Sequence, residues 1–132
     1  MTLQQIKKVG KMKIAVVGSR NFKDKDLFIE EMINFEYQTY SVDSSIISYI
    51  SGGARGVDTW AKEFADGCTR GIKVIKPDWN KHGKKAGFLR NIDIINEADF
   101  VMAFWDGESK GTKHSIDLAI KAGKPINIYV RN

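Results

Sequence analysis

Five short apolar runs rich in β-branched residues, at Lys13–Val17, Ile46–Ile50, Ile72–Ile75, Phe100–Phe104 and Ile126–Val130, recur along the chain with helix-length segments between them. A strand that is apolar at successive positions is buried on both faces, as in a parallel sheet covered by helices, and not half wet as in an antiparallel one. Parallel neighbours need crossover connections, and these are right-handed. The expected fold is therefore α/β: a single-domain, three-layer Rossmann-like arrangement of about five mainly parallel strands with helices on both faces.

The intervening segments carry helical patterning. Val57, Trp60, Ala61, Phe64, Ala65 and Cys68 fall on one apolar face, with Lys62, Glu63 and Asp66 opposite, and this helix is predicted to end near Gly71. A last helix over Ser109–Ala122 buries Ile116, Ala119 and Ile120 and stops at Gly123, with Pro125 just beyond. Further helices are predicted over Lys25–Phe35 and Lys85–Glu97, and Tyr37–Ser45 reads as a loop. Residues 1–12 read as a flexible extension ahead of a domain over 13–132.

At 132 residues the chain is the size of one domain. No apolar run approaches the roughly 20 residues that cross a bilayer, and the lysine-bearing N-terminus lacks the apolar stretch of a secretory signal. The lone cysteine, Cys68, has no internal partner, so the expected setting is the cytoplasm, with no membrane contact. A net charge of +5 favours anionic partners such as nucleotides, nucleic acids or phosphorylated metabolites, and is equally compatible with plain solubility. His82 and His114 stand far apart and form no ligand spacing with that cysteine, so no metal and no cofactor are expected.

In an open parallel sheet, ligands bind outside the carboxyl ends of the strands. Four loops meet at that edge: Gly18-Ser19-Arg20-Asn21, Ser51-Gly52-Gly53-Ala54-Arg55-Gly56, Pro77-Asp78-Trp79-Asn80, and residues 105–112 with Glu108, Gly111 and Thr112. Two roles fit Gly52 and Gly53: a backbone cradle for phosphate at a helix N-terminus, or a tight strand-to-helix turn. In the first role, Arg20 or Arg55 supplies a charged fork, Ser19 or Thr112 a hydroxyl, and Gly53→Val removes binding while sparing the fold. Asp58 fits a ribose hydroxyl, an arginine, or the positive end of its helix. Trp79, among Lys81, His82, Lys84, Lys85 and Arg90, suits base stacking beside phosphates, or plugs the core within a solvated basic loop. Arg90 and Asn91 are placed to point back at the crevice. Neither GxGxxG nor GxxxxGK[ST] occurs, which disfavours Walker-type ATP hydrolysis.

In this order, "KIAVVGSRNF", "SGGARGVDTWAKEFA", "PDWNKHGKKAGFLRN" and "FWDGESKGTKHSIDLA" closely resemble the small YspA-like branch of the SLOG superfamily, from about Lys13 to Tyr129. The resemblance implies a Rossmann-like fold with a pocket for a nucleotide derivative, in a group frequent in bacteria, phages and mobile elements. It implies ligand contacts at Gly18, Ser19, Arg20, Gly52, Gly53, Arg55, Gly56, Asp58, Lys85, Arg90, Asn91, Gly111 and Thr112, and favours a homodimer or higher homo-oligomer. The superfamily's Lonely Guy phosphoribohydrolases carry PGGxGTxxE, and here Ser115 stands in place of the catalytic glutamate. A serine cannot stabilise an oxocarbenium-like transition state or activate water as a carboxylate does, which leaves Glu108 and Asp117 as substitute candidates. Three functions follow as expectations: a module that senses or sequesters an ADP-ribose-like nucleotide, a nucleotide N-glycosidic hydrolase, or a single-strand DNA-binding module of the kind implied by the superfamily's distant similarity to DNA-processing protein A.

Overall fold

The computed structural model describes residues 12–39 and 47–132. Among these, β1 (Met12–Gly18), β2 (Ile47–Ser51), β3 (Ile72–Val74), β4 (Phe100–Trp105) and β5 (Ile126–Val130) form one sheet in the order β3-β2-β1-β4-β5. Every pairing is parallel, with Ile14 opposite both Tyr49 and Phe100. The helices are α1 (Lys25–Thr39), α2 (Val57–Gly67), the single turn α3 (Trp79–His82), α4 (Ala86–Glu97) and α5 (Lys110–Lys121).

The pleat sorts the strand residues into two cores. Ile14 and Val16 of β1 and Phe100, Met102 and Phe104 of β4 face the layer made by α1 and α2, against Phe28, Met32, Val57, Ala61 and Ala65. Ala15, Val17, Val101 and Ala103 face the opposite layer, against Ile94 and Ile95 of α4 and Ile116 and Ala119 of α5. Both faces of β1 and β4 are thus dry, which is why these segments read as continuous apolar runs. The first layer is aromatic: Phe28 meets Phe104 edge-on at 4.8 Å between centroids, and Phe104 stacks on Tyr129 at 4.9 Å.

A half-buried ionic latch ties α1 to β2 and to the turn after α2. Tyr49 Oη donates to Glu36 Oε1 at 2.6 Å, and Arg70 Nε donates to the same oxygen at 3.0 Å. Burial, and secondarily this hydrogen bond, raise the Tyr49 phenol above its usual range.

The expected elements shift at their ends. Met12 is fully buried and opens β1, so the first strand starts one residue before Lys13; residues 1–11 lie outside the described residues. Tyr37 to Thr39 continue α1 and do not begin a loop, and residues 40–46 lie outside the described residues. The predicted helix over Lys85–Glu97 begins at Ala86, preceded by a 3-10 turn at Gly83–Lys85 and by α3, whose Asp78 side chain accepts from the Lys81 amide at 3.1 Å. The last helix buries Ile116 and Ala119 as expected but not Ile120, which stands exposed, as do Ile128 and Val130 of β5, so apolar surface remains beyond what the three layers cover.

Candidate functional site

The strand order reverses between β1 and β4, because the chain builds outward from β1 through β2 and β3 and then returns to its other side. Just beyond the carboxyl ends of these two strands lies a cleft of about 480 Å³. Of the candidate residues, Gly18, Arg20, Gly52, Asp58, Arg90, Asn91, Glu108, Gly111 and Thr112 line it, together with Ser115. Gly53, Arg55, Gly56, Trp79, Lys85 and Asp117 do not, and Ser19 is buried beneath it.

Ser19 braces the floor. Its Oγ accepts from the Asp106 amide at 3.1 Å and lies 3.2 Å from Thr112 Oγ1, while its own amide donates to the Phe104 carbonyl at 3.0 Å. Sequence reasoning offered it as a ligand donor; the structure uses it to join the loops after β1 and β4.

The glycine loop is shaped largely by the protein's own atoms. A Cβ on Gly52 would collide with Arg90 Nη1, and one on Gly18 would meet Val57 at 2.6 Å. Asp58 Oδ2 accepts from the Ala54 amide at 2.9 Å, and the Gly53 amide points at Ser51 Oγ, 3.4 Å away. The Gly53 and Ala54 amides thus have partners within the loop itself, as the tight-turn role of Gly52 and Gly53 requires. Gly53→Val does not spare the fold: φ is +73° there, and a side chain would meet Val74 at 2.7 Å.

Asp58 is 8% exposed. Burial raises its carboxyl above the usual range, opposed by the Ala54 amide and by the Arg90 charge. With the folded value above the unfolded one, this group favours folding fully below about pH 4 and loses that contribution as pH rises through the folded value. Asp58→Asn is expected to flatten this part of the stability curve above about pH 4. Asp58→Ala, which strands the Ala54 amide, is expected to cost about 2 to 4 kcal/mol; urea midpoints across pH test both.

Arg90 is held from two sides: Nη1 donates to the Gly52 carbonyl at 2.7 Å and Nε to Asn91 Oδ1 at 3.0 Å. Its Nη2 donates to no group among the described residues. Arg20, on the opposite lip, is exposed, and its guanidinium makes no hydrogen bond or ion pair among the described residues. Burial lowers the Arg90 pKa, the Asp58 carboxylate opposes that shift, and the Arg20 charge adds a smaller lowering. Asn91 completes this wall, its Nδ2 lying 3.2 Å from His114 Nδ1.

The fourth loop contributes a residue that sequence reasoning missed. Asp106 Oδ1 accepts from the Ser109 amide at 2.8 Å and the Glu108 amide at 2.9 Å, and the Ser109 amide is the main reason its carboxyl sits below the usual range. The local signal was present: an Asp three residues before a Ser that caps the next helix. Asp117 instead pairs with Lys113 at 2.8 Å on the exposed side of α5, outside the cleft. Trp79, 56% exposed, is no core plug.

No family model matches the chain. The Gene 61 protein of Mycobacterium phage D29 is 36% identical over 124 residues, a match covering 86% of this chain and 93% of the phage protein. Among solved structures, DNA processing protein A from Helicobacter pylori, described for its single-stranded DNA binding mode, superposes with a TM-score of 0.67 at 21% identity, over 94% of this chain and 67% of its own. That likeness shows a shared Rossmann-like α/β fold.

Proposed function

The chain belongs to the family of the phage Gene 61 protein, and on that premise we propose that its cleft binds a phosphorylated, nucleotide-derived ligand in order to sense or sequester it. The observation that carries this reading is the convergence of Arg20 and Arg90 on one cleft at the switch point, both with N–H groups left unused by the protein. Two guanidiniums with unused N–H groups on one open cleft favour a bound anion, and arginine's planar fork suits phosphate. Thr112, Asn91 and Gly111 line the same space and supply polar contacts for the rest of the ligand. The cleft volume falls in the range of small-molecule sites. The likeness of the four loops to the YspA-like branch supports the same ligand class, and its ADP-ribose-like members are the first compounds to try.

Binding without turnover fits the carboxylates better than hydrolysis does. Asp58 and Asp106 are already engaged with loop amides, Ser115 stands where the Lonely Guy phosphoribohydrolases carry their glutamate, and among the described residues only Glu108 lines the cleft without such a bond. By titration calorimetry with nucleoside monophosphates, nucleoside diphosphates and ADP-ribose, Arg20→Ala is expected to lose at least tenfold in affinity, about 1.4 kcal/mol. The ligand should be recovered intact after incubation. Unaltered affinity in that variant would overturn the arginine-clamp reading, and release of a free base would make the protein a hydrolase.

A further inference from the structure

Beyond the cleft, the segment from Lys76 to Lys85 holds four cations against a single acid, +3 in a chain whose net charge is +5. Lys13, Lys62, Lys73 and Lys113 each meet a carboxylate within 3.7 Å. Lys76, Lys81, Lys84 and Lys85 make no ion pair among the described residues, and all four are exposed. Exposed Lys23, Lys110 and Lys121 also make no ion pair among the described residues but lie on separate segments, whereas here four unpaired lysines fall within residues 76–85. Unpaired cations on one segment keep their full attraction for a polyanion, whereas paired ones have already spent it locally.

An aromatic ring stands among them. Trp79 opens α3 with 56% of its surface exposed, while Trp60 packs beside Phe22 and Phe28 and Trp105 donates its indole N–H to the Ser109 carbonyl. One edge of the Trp79 ring lies along the first turn of α4, with Cη2 3.7 Å from where a side chain on Gly87 would begin. The Lys76 stem packs over Gly53, so the basic segment runs beside the glycine loop at the carboxyl edge of the sheet. A supported, exposed indole flanked by free lysines is the pairing that single strands use: bases stack on the ring and phosphates meet the cations. A duplex hides its base faces and offers nothing to the indole.

We propose that the Trp79–Lys85 segment, with Lys76, is a binding surface for single-stranded nucleic acid, separate in its residues from the cleft. Fluorescence anisotropy with labelled single-stranded DNA, the matching RNA and the matching DNA duplex tests this on the full chain. Single strands should bind more tightly than duplex, and affinity should fall about 20- to 50-fold between 50 and 200 mM salt, as for three to four phosphate contacts. Trp79→Ala should weaken binding about tenfold, whereas Trp79→Phe, which keeps a stacking face, should retain most of the affinity. The triple variant Lys81→Glu, Lys84→Glu, Lys85→Glu should weaken binding more than tenfold and flatten the salt dependence. These side chains are exposed, so thermal unfolding should be unchanged, and mononucleotide binding in the cleft should persist; that second readout separates failure of this surface from failure of the cleft. Equal affinity for duplex and single strand, or an unaltered affinity in Trp79→Ala or in the triple variant, would overturn the proposal. Equal binding of the DNA and RNA strands supports a surface that reads base faces and phosphates, and so does a preference for either.

Discussion

Replacing Arg90 with alanine is expected to lower the affinity of the cleft for a nucleoside phosphate about 100-fold, in calorimetric titrations against the wild type. Two effects combine. The variant loses a charge-assisted fork, ordinarily about 1.5 to 3 kcal/mol, and it loses a group pre-positioned by the Gly52 carbonyl and Asn91 Oδ1. It also removes the cation that offsets buried Asp58, so the same change is expected to lower stability by about 1 to 3 kcal/mol. Gly52→Ala separates the two effects. The new Cβ would displace Arg90 Nη1, the movable end of a side chain, leaving the cation present but misplaced. Binding should weaken by tenfold or more while the fold persists. An affinity unchanged in both variants would place the anion elsewhere.

Gly56→Ala is expected to lower stability by about 3 to 4 kcal/mol in urea denaturation. Gly56 precedes α2 with φ +78° and ψ −126°, a conformation that L-residues rarely adopt and that costs about 1 to 3 kcal/mol when forced. Its Cβ would lie 2.7 Å from the Arg20 carbonyl oxygen. That neighbour is backbone, held next to Ser19, whose amide and Oγ are fixed to the loop after β4, so it cannot swing aside as the end of Arg90 can. Against a total stability of about 5 to 15 kcal/mol, such a loss is severe. Gly111→Ala serves as the control: it sits in the same cleft with open space where a Cβ would go, and should fold normally. Normal stability in Gly56→Ala would mean that the β1 loop does not rest on the glycine loop.

The sheet was legible because β1 and β4 are dry on both faces, so each reads as an unbroken apolar run whatever its neighbours are. Helix α2 was legible for the opposite reason: one face is buried, and its spacing repeats every three to four residues. Helix α3 was not, since a single turn of four residues shows no period; only the Asp78 cap marked it. In the cleft, the loops were legible and their internal bonding was not. Three clustered glycines announce that something approaches the backbone, but spacing cannot say whether it is a ligand or Arg90, 38 residues further along. For the same reason Ser19 read as a ligand donor, when the Asp106 amide, 87 residues away, already uses it.

The central claim is that Arg20 and Arg90 together hold a phosphorylated nucleotide derivative. Native mass spectrometry of the purified protein, before and after incubation with nucleoside mono- and diphosphates and ADP-ribose, tests it most directly. The expected result is one ligand per cleft on the wild type, released intact on denaturation, and none on the variant combining Arg20→Ala and Arg90→Ala at the same concentration. A wild type that stays empty with every phosphorylated compound, or a double variant that loads as fully as the wild type, would contradict it.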